Sequence, residues 1–442
     1  MTIEVLSFIG IFVAAIIFAV LCFKGFHIIP CSILAAVILC IMSGMPIYET
    51  LTKTYMASFA NFIGGYYLLL GCGAIFACIM RDCGAISGIA YRIVQLAYKF
   101  PKQYQKVAAV CILPLINFII VYGGVAIYAA TFTLVAIAAE VLRKMDVHWG
   151  YYAVASLGSA KLAQFMPGTP ETVNQIPLEY LGTHPADGAL LGIVAAVIMY
   201  AFAIVYVFVS IRRDEKKGIG FFPAGERIAA SDTIQIDKDN LPPLWKCLVP
   251  LLVVWVVMNL LDQPAVIALC AAAVVAIVLF FGSAKKTLKN NITEGAMKGI
   301  NSIALLCAVV AFGGVLASTP GYAMAKTLVG SIPGSAAFKI WLVCLVLTPI
   351  LNSTTGGLKV ILGSMSEEFL ATGIAPGAIH RLALISSLGL NATPHNSGTA
   401  TIAVVGKLDY KDFYVKMFWT QVVGPTIAGF VVMLMVSAGI YI

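Results

Sequence analysis

Long apolar stretches alternate with short polar ones along the whole chain, and several exceed roughly 18 residues, the length that spans a bilayer as a helix. This pattern predicts an all-α polytopic membrane protein. The polar segment 212–246 predicts a cytoplasmic linker that divides the chain into two halves. We place five spans in each half, near residues 3–23, 28–43, 59–80, 149–174 and 186–211, and near 247–262, 264–281, 298–317, 378–405 and 413–440.

Four short motifs recur in the same order in the two halves. The pairs are RDCGA (81–85) with STPGY (318–322), YGG (122–124) with TGG (355–357), ASLG (155–158) with SSLG (386–389), and MPGTP (166–170) with ATPHN (392–396). Each match is weak alone, but four in one order indicate an internal repeat. Because each half has an odd number of spans, we expect repeats 1–211 and 247–442 to have inverted topology.

Two apolar regions remain outside these spans, 107–142 and 337–372, and each is interrupted near its middle. Basic residues flank the first region at both ends: Lys102, Lys106, Arg143 and Lys144. Since Lys and Arg concentrate in cytoplasmic loops, both ends lie on one side. We therefore predict one re-entrant hairpin in each repeat, with tips at VYGG (121–124) and NSTTGG (352–357).

Composition and charge fit a membrane protein. The chain is 61% hydrophobic and 11% charged, against about 25% charged in soluble proteins. With the linker inside, the predicted cytoplasmic segments hold 22 of the 28 Lys and Arg residues, which places both termini outside and makes the net charge of +8 no signal for nucleic acid. No GxxxxGK[ST], HExxH, GxSxG or CxxC motif occurs, so we expect no ATP hydrolysis, enzyme activity, metal or cofactor.

The interrupted helices indicate a binding site. Backbone breaks within a bilayer are stable only where protein or a watery cavity satisfies them, and paired breaks in inverted repeats are typical of secondary transporters. Half-helix N-termini there attract anions. The candidate substrate-binding residues are Tyr122, Gly123, Gly124, Thr169, Asn174, Asn352, Ser353, Thr354, Thr355, Gly356, Gly357, Thr393, His395, Asn396 and Ser397.

Charged residues inside predicted spans are functional candidates by default. Lys161 and Lys359 either bind the substrate anion, titrate during the cycle, or snorkel to an interface. Glu171 and His395 are the candidate proton carriers. We expect His380 and Arg381 to cap the outer end of their span.

The stretches VYGGVAIY, MPGTPETVNQIP, HRLALISS and TPHNSGTATIAVVGKLDYKDFY resemble the gluconate permease (GntP) family of the ion transporter superfamily. The resemblance covers nearly the whole chain. It implies a multi-pass symporter of the bacterial inner membrane for hydroxy- or short-chain carboxylates, usually driven by protons. It also implies a homodimer in which a scaffold (3–43 and 247–281) supports a moving transport domain (59–211 and 298–442), an elevator mechanism.

Carried over residue by residue, the resemblance places ligand contacts at the hairpin tips and span breaks. These are Gly123, Gly124, Ser353, Thr354, Thr355, Gly356 and Gly357, and Pro167, Gly168, Thr169, Pro170, Asn174, Pro394, His395 and Asn396. The chain departs from the family where PHNG reads PHNSG, where Asp-Leu reads Ala392-Thr393, and in Lys161 and Lys359.

Several functions stay open at this point. Proton-coupled import of a small organic anion such as gluconate or hydroxybutyrate fits the motifs best. The alternatives are a sodium-coupled carboxylate, dicarboxylate or sulfonate transporter, since backbone carbonyls with Asn and Ser can bind sodium, and the two additional lysines favour a more acidic anion. A channel is disfavoured because two opposed hairpins interrupt any continuous pore.

Overall fold

The computed structural model describes residues 2–24, 26–125, 127–230, 241–350, 354–392 and 397–441. Within these residues every regular element is a helix. The helical segments long and apolar enough to cross a membrane are Ile47–Asp82, Lys102–Tyr122, Ala189–Lys216, Phe281–Ala317 and Tyr410–Ser437, and shorter apolar helices accompany them. The predicted all-α polytopic class is confirmed.

The first half folds into helices α1 to α9. They are α1 (Ile3–Phe23), α2 (Ile28–Ser43), α3 (Met56–Asp82), α4 (Ala85–Gln95), α5 (Gln105–Tyr122), α6 (Ile127–Lys144), α7 (Tyr152–Phe165), α8 (Thr172–Leu181) and α9 (Ala189–Lys216). Short turns lie at Ile47–Glu49, Thr50–Tyr55, Ala97–Lys99, Lys102–Tyr104 and Trp149–Tyr151. α5 and α6 form hairpin 1, while α7 and α8 are separated by break 1, residues 166–171.

The second half folds into helices α10 to α19. They are α10 (Leu244–Asn259), α11 (Ala265–Leu279), α12 (Phe281–Ala317), α13 (Pro320–Ser331), α14 (Ala336–Ile350), α15 (Thr354–Leu370), α16 (Pro376–Ser387), α17 (Ser397–Val405), α18 (Tyr410–Phe418) and α19 (Gly424–Ser437). The turn Trp419–Val423 joins α18 to α19, and Glu226–Ala229 is a helical turn of the linker. α14 and α15 form hairpin 2, while α16 and α17 are separated by break 2, residues 388–396.

Helices of the two halves pack in a reciprocal pattern. α4 of the first half packs on α10, and its counterpart α13 packs on α1. α3 packs on α11, and α12 packs on α2. The hairpin arms α5 and α14 pack on the broken helices α7 and α16 of their own halves. This exchange of partners is the relation expected of two repeats around a pseudo-two-fold axis.

The segment 283–298, which we predicted to be cytoplasmic, is helical and belongs to α12. Small residues let α12 approach α3 closely, because they allow two helix backbones to come together. A Cβ on Gly299 would lie 2.7 Å from the Cα of Gly71 in α3. The Arg81 guanidinium also forms two bonds of 2.8 Å with Glu294, one from each terminal nitrogen. Contact with α3 therefore keeps this polar stretch helical.

Two of the four motif pairs do not occupy equivalent positions. YGG ends α5 and forms the turn after it, whereas TGG lies in the first turn of α15. ASLG lies inside α7, whereas SSLG runs past the end of α16. By contrast, RDCGA and STPGY both join a long helix to a short one, through Gly84 (φ 74°) and through Pro320 at the start of α13.

Candidate functional site

Break 1 is held by side chains from outside its own helix. The Tyr122 hydroxyl, at the end of hairpin arm α5, donates to the Pro167 carbonyl at 2.8 Å. Trp255 Nε1 of α10 donates to that hydroxyl at 3.2 Å. The Asn259 amide, also on α10, donates to the Gly168 carbonyl at 3.0 Å. Break 1 therefore satisfies part of its backbone through residues of both halves.

Gly168 makes the sharp turn in break 1 possible. Its φ is 76°, a left-handed value that costs an L-residue energy. Its N–H donates to the Pro185 carbonyl at 2.8 Å, which ties the break to the loop after α8. A Cβ at this position would lie 2.5 Å from Asn259 Oδ1. The backbone therefore approaches α10 so closely that only glycine fits without a shift.

Asn174, predicted as a ligand, connects break 1 to α16. Its amide nitrogen donates to the carbonyls of Thr169 at 2.9 Å and Pro185 at 3.1 Å. Its Oδ1 accepts from Arg381 Nη1 at 2.7 Å and lies 3.1 Å from His380 Nε2. The side chain is fully buried. Asn174 thus positions the break, and its whole amide is engaged within the protein.

The expectation that His380 and Arg381 cap the outer end of a span is wrong. Both side chains are 0% exposed. Arg381 Nε donates to the Asp187 carbonyl at 2.7 Å, and its second terminal nitrogen donates to the Pro185 carbonyl. His380 Nδ1 lies 2.9 Å from Thr183 Oγ1. The loop 182–188 folds over α16 and buries both residues, which the sequence alone did not indicate.

Arg381 could have been identified by the rule that singled out Lys161, namely that a charged residue inside a predicted span is a functional candidate. We had placed it near a span end, where such a charge is unremarkable. Its buried position makes it part of the candidate site.

Glu171 lies at the end of break 1 and is partly exposed. Its N–H makes a long contact of 3.4 Å with Thr169 Oγ1, and its Oε2 lies 3.4 Å from the Gln164 amide nitrogen. Thr169 itself is fully buried. The structure thus brings the candidate proton carrier Glu171 next to the candidate ligand Thr169.

Hairpin 2 has a shorter tip than predicted. Thr354, Thr355, Gly356 and Gly357 form the first turn of α15 instead of a loop. Thr354 Oγ1 accepts a hydrogen bond from the Asn391 amide of break 2. A Cβ on Gly357 would lie 2.9 Å from Thr348 Cγ2, so this glycine lets the two arms pack tightly. The turn therefore joins hairpin 2 to break 2.

The glycines of hairpin 1 face the first helices of the second half. A Cβ on Gly123 would lie 2.5 Å from Leu251 Cβ of α10. Gly124 has a φ of 92°, and its Cβ would lie 2.7 Å from Leu269 of α11. These two glycines were predicted as ligands, and the structure shows them packed against α10 and α11.

The two lysines that we singled out have protein partners. Lys359 lies 3.4 Å from Glu179 Oε2, and its ammonium sits 4.8 Å from the centre of the Tyr66 ring. Lys161 is 5% exposed and donates to the carbonyls of Leu388, at 2.6 Å, and Gln421. Snorkelling of Lys161 to an interface is therefore wrong.

Several predicted ligands lie outside the described residues, so their geometry is not stated. They are Asn352, Ser353, Thr393, Pro394, His395 and Asn396. Ser397 is the first residue of α17.

The comparisons agree with this architecture. No family model matches the sequence. The chain is 23% identical to the uncharacterized transporter YxjC of Bacillus subtilis (strain 168), over 90% of this chain and 92% of that protein. Its fold is similar to the crystal structure of the YdaH transporter of Alcanivorax borkumensis, with a TM-score of 0.53, 12% identity and 89% of each chain covered.

Apolar helices, two hairpins and two broken helices define the class of the protein. It has the fold of a helical, polytopic membrane protein, and the two proteins that it resembles are transporters.

Proposed function

We propose that the chain is a secondary active transporter that imports a small organic anion by proton symport. The observation that carries this proposal is the meeting of two broken helices with residues from both halves of the chain. Tyr122 and Asn259 bind break 1, and Lys161 binds break 2. Such breaks are retained in an apolar chain where a ligand has to be bound.

The chemistry around break 1 favours an anion with hydroxyl groups. α8 begins at Thr172, directly after the break, and the N–H groups of its first turn form the positive end of the helix dipole. A carboxylate is stabilised at such a position. Hydroxyls of the candidate ligands predicted from the sequence would bind the rest of the molecule. Hydroxy- or short-chain carboxylates, gluconate and hydroxybutyrate among them, have this chemistry.

Coupling to protons requires a group that gains and loses a proton during the cycle. Glu171 is the candidate that lies within the described residues, where it adjoins Thr169 and is partly exposed. His395 is the second candidate. We propose that Glu171 carries the coupled proton, with sodium in its place as the alternative coupling ion.

Movement of the site across the membrane would follow an elevator mechanism. We propose that α1, α2, α10 and α11 form the fixed scaffold, as predicted. The packing of α3 on α11 and of α12 on α2 favours adding these two long helices to the scaffold, which changes the predicted boundary. Both hairpins and both broken helices would then move together.

The resemblance to the gluconate permease family supports two further parts of this proposal, a homodimer and a location in the bacterial inner membrane. The distribution of Lys and Arg supports a third, termini outside the cytoplasm. Reporter fusions to each terminus test the orientation, and chemical crosslinking in native membranes tests the dimer. Cytoplasmic fluorescence from either terminal fusion would contradict the proposed orientation.

The central experiment measures binding and then transport. Thermal shift of the purified full chain would be recorded with gluconate, hydroxybutyrate, lactate, dicarboxylates and sulfonates, each in sodium or potassium at pH 6 and pH 8. A ligand of the folded state raises its melting temperature. Proteoliposome uptake of any hit would then be driven by an imposed proton gradient, with and without an uncoupler.

Two variants sharpen the transport assay. Glu171→Gln should keep anion binding and lose accumulation driven by the proton gradient. Glu49→Gln, which alters an exposed carboxylate paired with Lys53, is the matched control and should transport normally. A hit that requires sodium at fixed pH would move the coupling to sodium. No shift with any anion would refute the assignment of an organic anion substrate.

A further inference from the structure

Lys161 is a buried lysine whose charge has no part in the proposed proton coupling. Its side chain is 5% exposed, and its ammonium nitrogen donates to two main-chain carbonyls, those of Leu388 and Gln421. The Leu388 bond is 2.6 Å long. Among the residues that the structure describes, no carboxylate lies within ion-pair distance of it. A buried charge without a counter-charge is costly, so these carbonyls have to account for it.

The Leu388 carbonyl lies at the C-terminal end of a helix. α16 ends at Ser387, and Leu388 opens break 2. The last carbonyls of an α-helix have no N–H donor within the helix, and they carry the negative end of its dipole. A cation at this position is therefore stabilised by α16 as well as by the carbonyl itself.

The Gln421 carbonyl lies four residues before a proline. The N–H four residues further along would belong to residue 425, which is Pro425 and has no N–H. Gln421 lies in the π-helical turn Trp419–Val423, where the helix widens just before this proline. The end of α16 and this widened turn thus both present a carbonyl to the same group, the side-chain nitrogen of Lys161.

We propose that these two carbonyls form a binding site for a monovalent cation, and that the Lys161 ammonium occupies it. Carbonyl oxygens at a helix end are also what a sodium ion would use as ligands. Break 2 would therefore be held in place by a covalently attached cation and would need no dissociable metal ion. That transport would need no dissociable metal ion at break 2 rests on the proposed transport function. That Lys161 occupies the cation site does not rest on it.

The test replaces the attached cation by a free one. Melting temperatures of the purified wild-type chain and of Lys161→Ala would be measured in choline chloride, sodium chloride and methylammonium chloride at equal ionic strength. We expect Lys161→Ala to melt lower than the wild type in choline. Sodium or methylammonium should restore more than half of that loss in a saturable way, and the wild type should not respond. Equal responses of the two proteins, or none in the variant, would overturn the proposal.

A second pair of variants decides the matter if Lys161→Ala does not fold in any of these salts. Lys161→Gln keeps two N–H donors without the charge, and Lys161→Met keeps the length with neither. If the two carbonyls need a cation, Lys161→Gln should melt close to Lys161→Met. A Lys161→Gln protein that melts close to the wild type would show that neutral donors suffice, and would overturn the cation site.

The same preparations separate this proposal from the proposed function. If an anion is found in the binding screen, its binding should be independent of sodium in the wild type and dependent on sodium in Lys161→Ala. If no anion binds, the transport proposal fails, but the salt response of Lys161→Ala still decides whether the cation site exists.

Discussion

Replacing Arg381 by lysine tests whether a fork of hydrogen bonds holds break 1 in place. The guanidinium is fully buried and donates in three directions, to Asn174 Oδ1, to the Asp187 carbonyl and to the Pro185 carbonyl. Arg381→Lys keeps the buried positive charge. A single ammonium nitrogen on a shorter side chain cannot reach all three acceptors. The substitution therefore changes the hydrogen bonding and leaves the cost of burying the charge nearly constant.

The expected loss follows from the bonds that lysine cannot form. The Asp187 carbonyl receives no second hydrogen bond from the described residues, whereas Asn174 Oδ1 also contacts His380. Losing two bonds that involve a charged donor costs about 3–6 kcal/mol. At about 2.1 cal/mol/K per residue, the unfolding entropy converts this into a fall in melting temperature of about 3–6 °C.

The assay is thermal unfolding of the purified chain in detergent, followed by tryptophan fluorescence at pH 7.5. Arg227→Lys is the matched control, because Arg227 pairs with Asp409 at 2.5 Å while both side chains are more than half exposed. An exposed ion pair contributes about 0–1 kcal/mol, so the control should melt within about 1 °C of the wild type.

A double-mutant cycle separates the hydrogen-bond network from a general packing defect. Asn174→Ala removes the acceptor of one Arg381 bond, so the double variant should lose less stability than the two single variants together. Arg381→Lys melting within 1 °C of the wild type, or additive losses in the cycle, would refute the reasoning.

Two further predictions concern break 1 and His148, which precedes the turn Trp149–Tyr151. Gly168→Ala should cost about 3 kcal/mol, since the methyl group meets Asn259 at a left-handed φ. Gly182→Ala is the control, because Gly182 also has a left-handed φ but no atom lies within 4 Å of its Cβ position. The melting temperature of Gly182→Ala should fall less than that of Gly168→Ala, and equal falls would contradict the clash with Asn259. At His148, burial and then Lys416 lower the pKa below the ordinary 6.5. Stability is then full above about pH 6.5 and falls on acidification, because the unfolded chain binds the proton more readily. The melting temperature of His148→Asn should therefore fall less than that of the wild type between pH 7.5 and 5.5, and an equal fall would contradict this prediction.

The sequence predicted the helices and their interruptions well because these features are local. Long apolar runs specify helices, and clusters of glycine and proline interrupt them regardless of distant residues. Break 1 between Phe165 and Thr172 and both hairpins lie where the pattern placed them. The pattern did not predict whether segment 283–298 is helical, because its helix is stabilised by packing on α3, which its polar residues do not reveal.

The sequence by itself determined the class of the protein, the order of its helices and the positions where their backbones are interrupted. Only the tertiary structure decided which side chains bind those interruptions. Lys161 reaches carbonyls 227 and 260 residues away, and Arg381 reaches Asn174 across 207 residues. A buried polar group takes whichever partners the packing of distant helices brings near, and the identity of those partners is not encoded by any local pattern.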